Sequence, residues 1–320
     1  MFMNAYAVVL MNLGGPDSLE SVEPFLCHLF SDPDIFRIPF GQRLFAKFIS
    51  KRRAPKVMAR YRQIGGKSPI NEWTEAQRRL LQEALQVENP GARVYTAMRY
   101  WHPFIHETAE KVAADRFEKI VLLPLYPHYS ITTTGSAFNE WKRVYSGDVA
   151  ALNYVSDYFD HPQYIAAINE RIDETIQTFP EAARGEIQIV FSAHGTPVRF
   201  VKEGDPYSRQ IQKTVDGVMT ARRHSHPHHL CFQSRVGPVK WLEPSTEKMI
   251  EKLATQGNKH LLIVPVSFVS DHIETLFELN VEYREVAERL GIETYRVMTG
   301  LNASTTFIAA LKDIVLATIK

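Results

Sequence analysis

A chain of 320 residues, 45% hydrophobic and 23% charged, can bury roughly three quarters of the surface its unfolded form exposes, which excludes a disordered segment and a small stapled scaffold. Lys+Arg 37 against Asp+Glu 36 leaves a formal charge of +1, so no global field draws in nucleic acid and a charged partner must be met by a local patch. Its two cysteines, Cys27 and Cys231, lie far apart without CxxC spacing, which excludes a disulfide framework or a four-thiolate zinc or iron–sulfur site and predicts a reducing, cytoplasmic setting.

In chain order, the first apolar run has no basic residue ahead of it and is interrupted at Asn12, so neither a signal peptide nor a membrane span is expected. Five runs of strand length follow one another: Tyr6 to Leu13, Arg93 to Met98, Ile120 to Tyr126, Ile187 to Phe191 and Leu261 to Phe268. Their Val, Ile and Leu are mostly continuous rather than alternating, as in strands buried on both faces of a parallel sheet. Helix-period segments separate them, among them Asn71 to Gln86, Pro162 to Phe179, Asp205 to Arg223, Ser245 to Gln256 and Thr305 to Ile319. Alternating strands and helices predict an open α/β sheet with crossover connections. The polar stretch SITTTGS (130–136) divides the runs into two similar halves, placing a domain break near residue 130.

Ligands of open parallel sheets bind beyond the carboxyl ends of the strands. There the sequence gathers Gly14, Gly15, Arg99, Tyr100, Trp101, His102, His128, Tyr129, His194, Asp271, His272 and Glu274. His194, followed by Gly195 and Pro197, suits proton transfer or metal ligation at a crevice mouth, against the alternative of a structural histidine satisfied by backbone. Glu274, Glu278 and Glu282 stand at i, i+4 and i+8, one stripe on a helix. A solvated acidic face is one reading. The apolar neighbours Leu276, Phe277, Leu279 and Val281 favour a stripe that runs inward and relays protons or metal ions.

Two other motifs fail. Gly66-Lys67-Ser68 ends like a P-loop, but Tyr61 occupies the earlier glycine position and Pro69 would break the required helix. Gly14-Gly15-Pro16 lacks the G-x-G-x-x-G of a dinucleotide site. The cluster His224, His226, His228 and His229 is read as a surface loop, with adventitious metal binding as the alternative. Phe25, Leu26, Leu29, Phe30, Ile35, Phe36, Ile38, Phe40, Leu44, Phe45, Phe48 and Ile49, followed by Lys51, Arg52 and Arg53, form either core or an apolar lip with a basic rim for a flat hydrophobic acid or anionic lipid heads.

The stretches LMNLGGPDSL, KRRAPK, YRQIGGKSPI, MRYWHP, YPHYSITTTGS, FSAHGTP, EGDPY, FQSRVGPVKWLEP and SFVSDHIETLFELNVEY, in this order, resemble the ferrochelatases, which insert Fe²⁺ into a porphyrin. The resemblance implies a chelatase-like α/β fold of two Rossmann-like domains, each with a four-stranded-type parallel sheet flanked by helices: 1–129 with 303–320, carrying the lip, and 130–302, carrying His194 and the acidic helix. It implies His194 and Glu274 as the catalytic pair that also meets the metal, and Asp271, Glu278 and Glu282 as a proton or metal path on a widened, π-type helix. Leu13, Arg53, Tyr61, Ser68, Arg99, Tyr100, Tyr126 and Trp241 fall on porphyrin-contact positions. Leu13 replaces a Met of some relatives, and the pair Asn12-Leu13 lacks the tyrosine of coproporphyrin-using ones, which favours protoporphyrin IX. Coproporphyrin III insertion and a non-catalytic porphyrin or haem carrier are the alternatives. Fe²⁺ is then a substrate. No cofactor and no [2Fe–2S] cluster are expected, since the chain stops at Lys320 without a cysteine-bearing extension. A monomer is expected, with a dimer as the alternative, and peripheral contact with the inner face of a membrane is allowed.

Overall fold

The structure is a computed structural model that describes residues 5–36, 38, 40–234 and 239–320, so the middle of FQSRVGPVKWLEP lies outside the described residues. Two compact units emerge, 1–158 with 302–320, and 159–301. The first contains β1 (Tyr6–Asn12), α1 (Val22–Phe30), α2 (Gln42–Arg62), α3 (Ile70–Gln86), β2 (Arg93–Met98), α4 (Ile105–Asp115), β3 (Lys119–Pro124), α5 (Ser136–Val144) and β4 (Leu152–Tyr154). The second contains α6 (Pro162–Gln177), β5 (Gln188–His194), α7 (Val198–Lys202), α8 (Tyr207–Ala221), β6 (His228–Gln233), α9 (Thr246–Thr255), β7 (His260–Pro265), α10 (Tyr283–Arg289) and β8 (Thr294–Val297). The last helix, α11 (Thr305–Ile319), returns to the first unit, where it packs on α3 and β3.

Each unit holds a four-stranded parallel sheet, in the orders β2-β1-β3-β4 and β6-β5-β7-β8. The wiring is the same in both. The first strand of the unit is central, and the strand order reverses between β1 and β3 in one unit and between β5 and β7 in the other, the switch point where such sheets bind ligands. Every residue of β1 is buried, as are Ile189 to Ala193 of β5, because helices cover both faces. In the first unit Ala109, Val112, Phe138 and Trp141 pack on one face of the sheet. In the second, Met249, Ile250 and Leu253 of α9 and Ala287 of α10 close over Val190, Leu261 and Ile263. Each fully buried Val, Leu, Ile, Phe or Met among them contributes about 1.5–3 kcal/mol of transfer free energy.

The division between units falls at Tyr158, not near residue 130. The chain from 130 onward first builds α5 and then β4, which pairs with β3 and completes the first sheet. The His-rich cluster is not simply a loop: His228 and His229 open β6, the edge strand beside β5. The large apolar segment splits. Phe25, Leu26 and Phe30 of α1 are core, whereas Phe40, Leu44 and Phe48 are exposed, at 93%, 75% and 68%. α2 packs on α1 and buries the small residues Ala46, Ser50 and Ala54, four apart on one face, while its Leu44 and Phe48 are exposed.

Candidate active site

β7 ends at Pro265, which has no N–H for a further ladder bond, and the chain turns away after Val266 N–H donates to Ser192 O (3.1 Å). This opens the switch point of the second unit beside His194, the last residue of β5. Gly195 N–H then bonds Gln233 O (2.8 Å), and a Cβ at Gly195 would stand 2.5 Å from that oxygen, so only glycine lets the strand close here.

The acidic stripe rides on a π-helix, Glu274–Glu282, whose i→i+5 bonding widens the turn. Its start is tied down by Asp271, whose Oδ1 accepts hydrogen bonds from Thr275 Oγ1 (2.9 Å) and from Gly300 N–H (3.1 Å). Of the expected relay, Glu274 and Glu278 are brought to His194. Asp271 instead anchors the helix, and Glu282 ends it, partly buried.

His194 Nδ1 lies 2.9 Å from Glu274 Oε2, with the two side chains 39% and 22% exposed. The same oxygen accepts from Gln233 Nε2 (3.2 Å) and Ser234 Oγ (3.0 Å). Gln233 is held in that orientation because Ser192 Oγ donates to its Oε1 (2.7 Å). Ser234, in the left-handed region at φ 64, turns its backbone N–H onto Glu278 Oε1 (2.8 Å) and places its hydroxyl oxygen 2.6 Å from Glu278 Oε2, so the two carboxyls share its single proton. One serine therefore bridges two carboxylates on successive turns of the π-helix.

The electrostatics follow from burial and pairing. Burial pulls the His194 imidazolium down, but the charge of Glu274 and its hydrogen bond, with Glu278 behind, raise it above the ordinary histidine value. Burial alone would push Glu274 up; His194, His272 and Ser234 hold it below the usual carboxylate range. Glu278 is raised by burial and by the charge of Glu274, which outweigh the opposing hydrogen bonds from Ser234 and the charge of His194. The site thus joins an ionised carboxylate, an imidazole inclined to hold a proton and a second carboxyl inclined to keep one. His194 Nδ1 is engaged by Glu274, which leaves Nε2 for a substrate. Among the described residues no group of three or more His, Cys, Asp or Glu is set to hold a metal ion. Trp241, bridged to Pro197, stands with its ring beside Gly195.

The other expected contact residues belong to the first unit. Arg99, just beyond β2, donates through Nε to Ser136 Oγ (2.8 Å) and pairs with Asp32 (3.1 Å) and Glu140 (3.7 Å). Tyr100 is 1% exposed and its hydroxyl donates to Asp32 Oδ2 (2.5 Å), as Ser136 Oγ does (2.5 Å), so Tyr100 is a buried strut of this cluster rather than an open contact. Ser136 follows a second π-helix, Ile131–Gly135. Tyr126 is partly buried, with its phenol pushed up by burial. Leu13 is half-buried beside Asn12, whose amide donates to Thr74 (2.9 Å) and whose Oδ1 accepts from Leu13 N–H. Arg53 lies over the Phe30 ring at 5.5 Å; burial and Arg60 pull its guanidinium below its usual value. Tyr61 and Ser68 are buried, and Ser68 N–H bonds Pro16 O (2.8 Å). Sequence reasoning missed Asp32, Gln233 and Ser234. Ser234 lies inside a stretch already singled out, but nothing in its type distinguishes it from any loop serine.

The Ferrochelatase family model matches residues 5–319. A Ferrochelatase of Geobacter metallireducens is 51% identical over 313 residues, covering 97% of this chain and 97% of its own, and that of Geotalea daltonii is 48% identical over 313 residues, covering 97% and 96%. Among solved structures, SirB from Bacillus subtilis with Fe³⁺ superposes with a TM-score of 0.56 at 12% identity, covering 98% of this chain and 95% of that one, a likeness of fold. With a family match from end to end and relatives near half identity, the chain belongs to the ferrochelatase family of metal-inserting lyases.

Proposed function

We propose that this ferrochelatase inserts Fe²⁺ into protoporphyrin IX to give protohaem, the terminal step of haem formation, and that His194 is its base. Insertion must remove two pyrrole protons that are not acidic near neutral pH, and it is favoured by a cleft that binds a bent ring better than a flat one. His194 Nε2 takes up pyrrole protons, Glu274 stabilises the imidazolium that results, and Ser234 and Glu278 pass protons onward. The observation that carries this reading is the 2.9 Å pair of His194 and Glu274 at the switch point of the sheet. Iron enters and leaves as Fe²⁺, so no redox cofactor is required. The choice of protoporphyrin rests on Asn12 and Leu13: Asn12 is buried and bonded to Thr74, and no phenol stands at either position.

We place the enzyme in the cytoplasm, with peripheral contact to the inner face of the membrane. Among the described residues no helix is long and apolar enough to cross a membrane. Exposed Phe40, Leu44 and Phe48 on or beside α2, with Lys47, Lys51 and Arg52 nearby, suit an anionic interface instead. The functional test is an anaerobic fluorescence assay with Fe²⁺, offering protoporphyrin IX and coproporphyrin III in parallel. Catalytic loss of free-base fluorescence with protoporphyrin is expected. A preference for coproporphyrin would reassign the substrate, and stoichiometric binding without turnover of either would contradict the reading.

A further inference from the structure

The backbone of His194 presents a problem that the sheet does not solve. On the β6 side the neighbouring Gly195 N–H finds Gln233 O, but on the β7 side the ladder has ended, since β7 stops at Pro265. Both backbone groups of His194 would be left without partners at the edge of a buried sheet, a cost of about 1–3 kcal/mol each. Two side chains take over. His194 N–H donates to Ser267 Oγ (2.9 Å), and Tyr207 Oη donates to His194 O (3.0 Å). The two backbone groups of His194 are thus each held by one side-chain hydroxyl, from opposite sides of the strand end.

Both hydroxyl-bearing residues are themselves held in place. Tyr207 is the first residue of α8 and its N–H donates to Asp205 Oδ1 (2.9 Å), while Ser267 sits in the turn closed by Phe268 N–H to Pro265 O (3.2 Å). Both residues are at least nine-tenths buried. Because Cα and Cβ of His194 move with its peptide groups, fixing those groups fixes where the imidazole stands relative to Glu274.

We infer that Tyr207 and Ser267 are positioning residues that clamp both backbone groups of His194 and so aim its imidazole at the reacting nitrogens. The inference rests on His194 being the base, and the two stand apart in the test. Tyr207→Phe, Ser267→Ala, Ser267→Thr and His194→Ala are compared for kcat, porphyrin KM, porphyrin affinity by fluorescence quenching, and Tm. A misplacement of about 1 Å can cost on the order of 100-fold. Tyr207→Phe and Ser267→Ala should therefore each lower kcat roughly 10- to 100-fold. Porphyrin KM and affinity should stay within about twofold of the parent, and Ser267→Thr, which keeps the oxygen, should restore most of kcat. Parent-like kcat in both Tyr207→Phe and Ser267→Ala, with His194→Ala inactive, overturns the clamp and leaves the base in place. A parallel loss of kcat, affinity and Tm, with no recovery in Ser267→Thr, reduces the pair to scaffold and overturns the clamp as well. Full activity in His194→Ala removes the base itself, and the clamp with it.

Discussion

The two units carry similar clusters at the same place in the same wiring, yet they do different work. In the first, Asp32 is buried and receives Tyr100, Ser136 and Arg99; in the second, Glu274 receives His194, Gln233 and Ser234. Each cluster adjoins a π-helix, a local widening common at functional sites. The difference lies in the cation. A guanidinium cannot lose its proton at any physiological pH, so Arg99 and Asp32 form a fixed strut that ties the root of the lip to the sheet. An imidazole can, so the His194 pair is able to move a proton. In the second cluster two carboxyls also meet at one serine, Ser234, beside His194, and the charge of Glu274 raises both His194 and Glu278.

If that contrast is right, breaking the first cluster should cost stability and breaking the second should cost rate. Asp32→Ala leaves Arg99 buried with its main partner gone and should destabilise by about 3–5 kcal/mol, read as a fall in denaturant midpoint, with the pH dependence of any remaining activity unchanged. Glu274→Gln should instead act chiefly on rate, lowering kcat by roughly 10- to 100-fold, with a smaller fall in midpoint that is largest at the pH where the pair is fully charged. It should also move the acid limb of the kcat profile to lower pH, because the charge that raises His194 is gone while burial remains.

The pair also gives stability a shape in pH. His194, raised, stabilises fully below its ordinary value of 6.5 and loses that contribution as pH rises through the raised value. Glu274, lowered, stabilises fully above its ordinary 4.5 and loses that contribution as pH falls through the lowered value. Between 4.5 and 6.5 the pair is at full strength. Glu278 has the opposite carboxylate sense: raised, it favours the fold at low pH and weakens it as pH climbs through its raised value. Glu278→Gln should therefore flatten the alkaline side of a denaturation series, with a few-fold loss of turnover. Smallest is the lip. Replacing Lys51 or Arg52 by Gln should weaken flotation with anionic liposomes by about 1 kcal/mol each, roughly fivefold, and high salt should erase the difference.

Much of the fold is legible in the sequence where burial is two-sided. β1 and β7 read as continuous apolar runs because helices cover both of their faces, and α11 has the bounds its helical period predicts, with the structure adding a Ser304 cap whose Oγ accepts from Phe307 N–H. Of the four edge strands β2 was legible, whereas β4, β6 and β8 were not. β4 is three residues long, and β6 begins with two histidines at the open side of the sheet, with only Cys231, Phe232 and Gln233 buried. Misreading these strands also misplaced the domain break, since SITTTGS reads as a linker but folds as a π-helix leading into α5.

The candidate site divides in the same way. His194, Glu274 and Glu278 could be found because strand ends and helical spacing are local patterns. Asp32 could not, because its partners Tyr100 and Ser136 are 68 and 104 residues away and its neighbours Phe30 and Phe36 make the segment look apolar. Tyr100, a porphyrin-contact position by resemblance, is buried and bonded to Asp32, a long-range contact that no local pattern announces.

The most direct measurement is single-turnover Fe²⁺ insertion by the parent and His194→Ala, under anaerobic conditions, with porphyrin binding followed in the same samples by fluorescence quenching. Loss of insertion by about 100- to 10,000-fold with porphyrin affinity kept is the predicted result. Insertion at the parental rate in His194→Ala would contradict the account, since the pyrrole protons would then be leaving by another route.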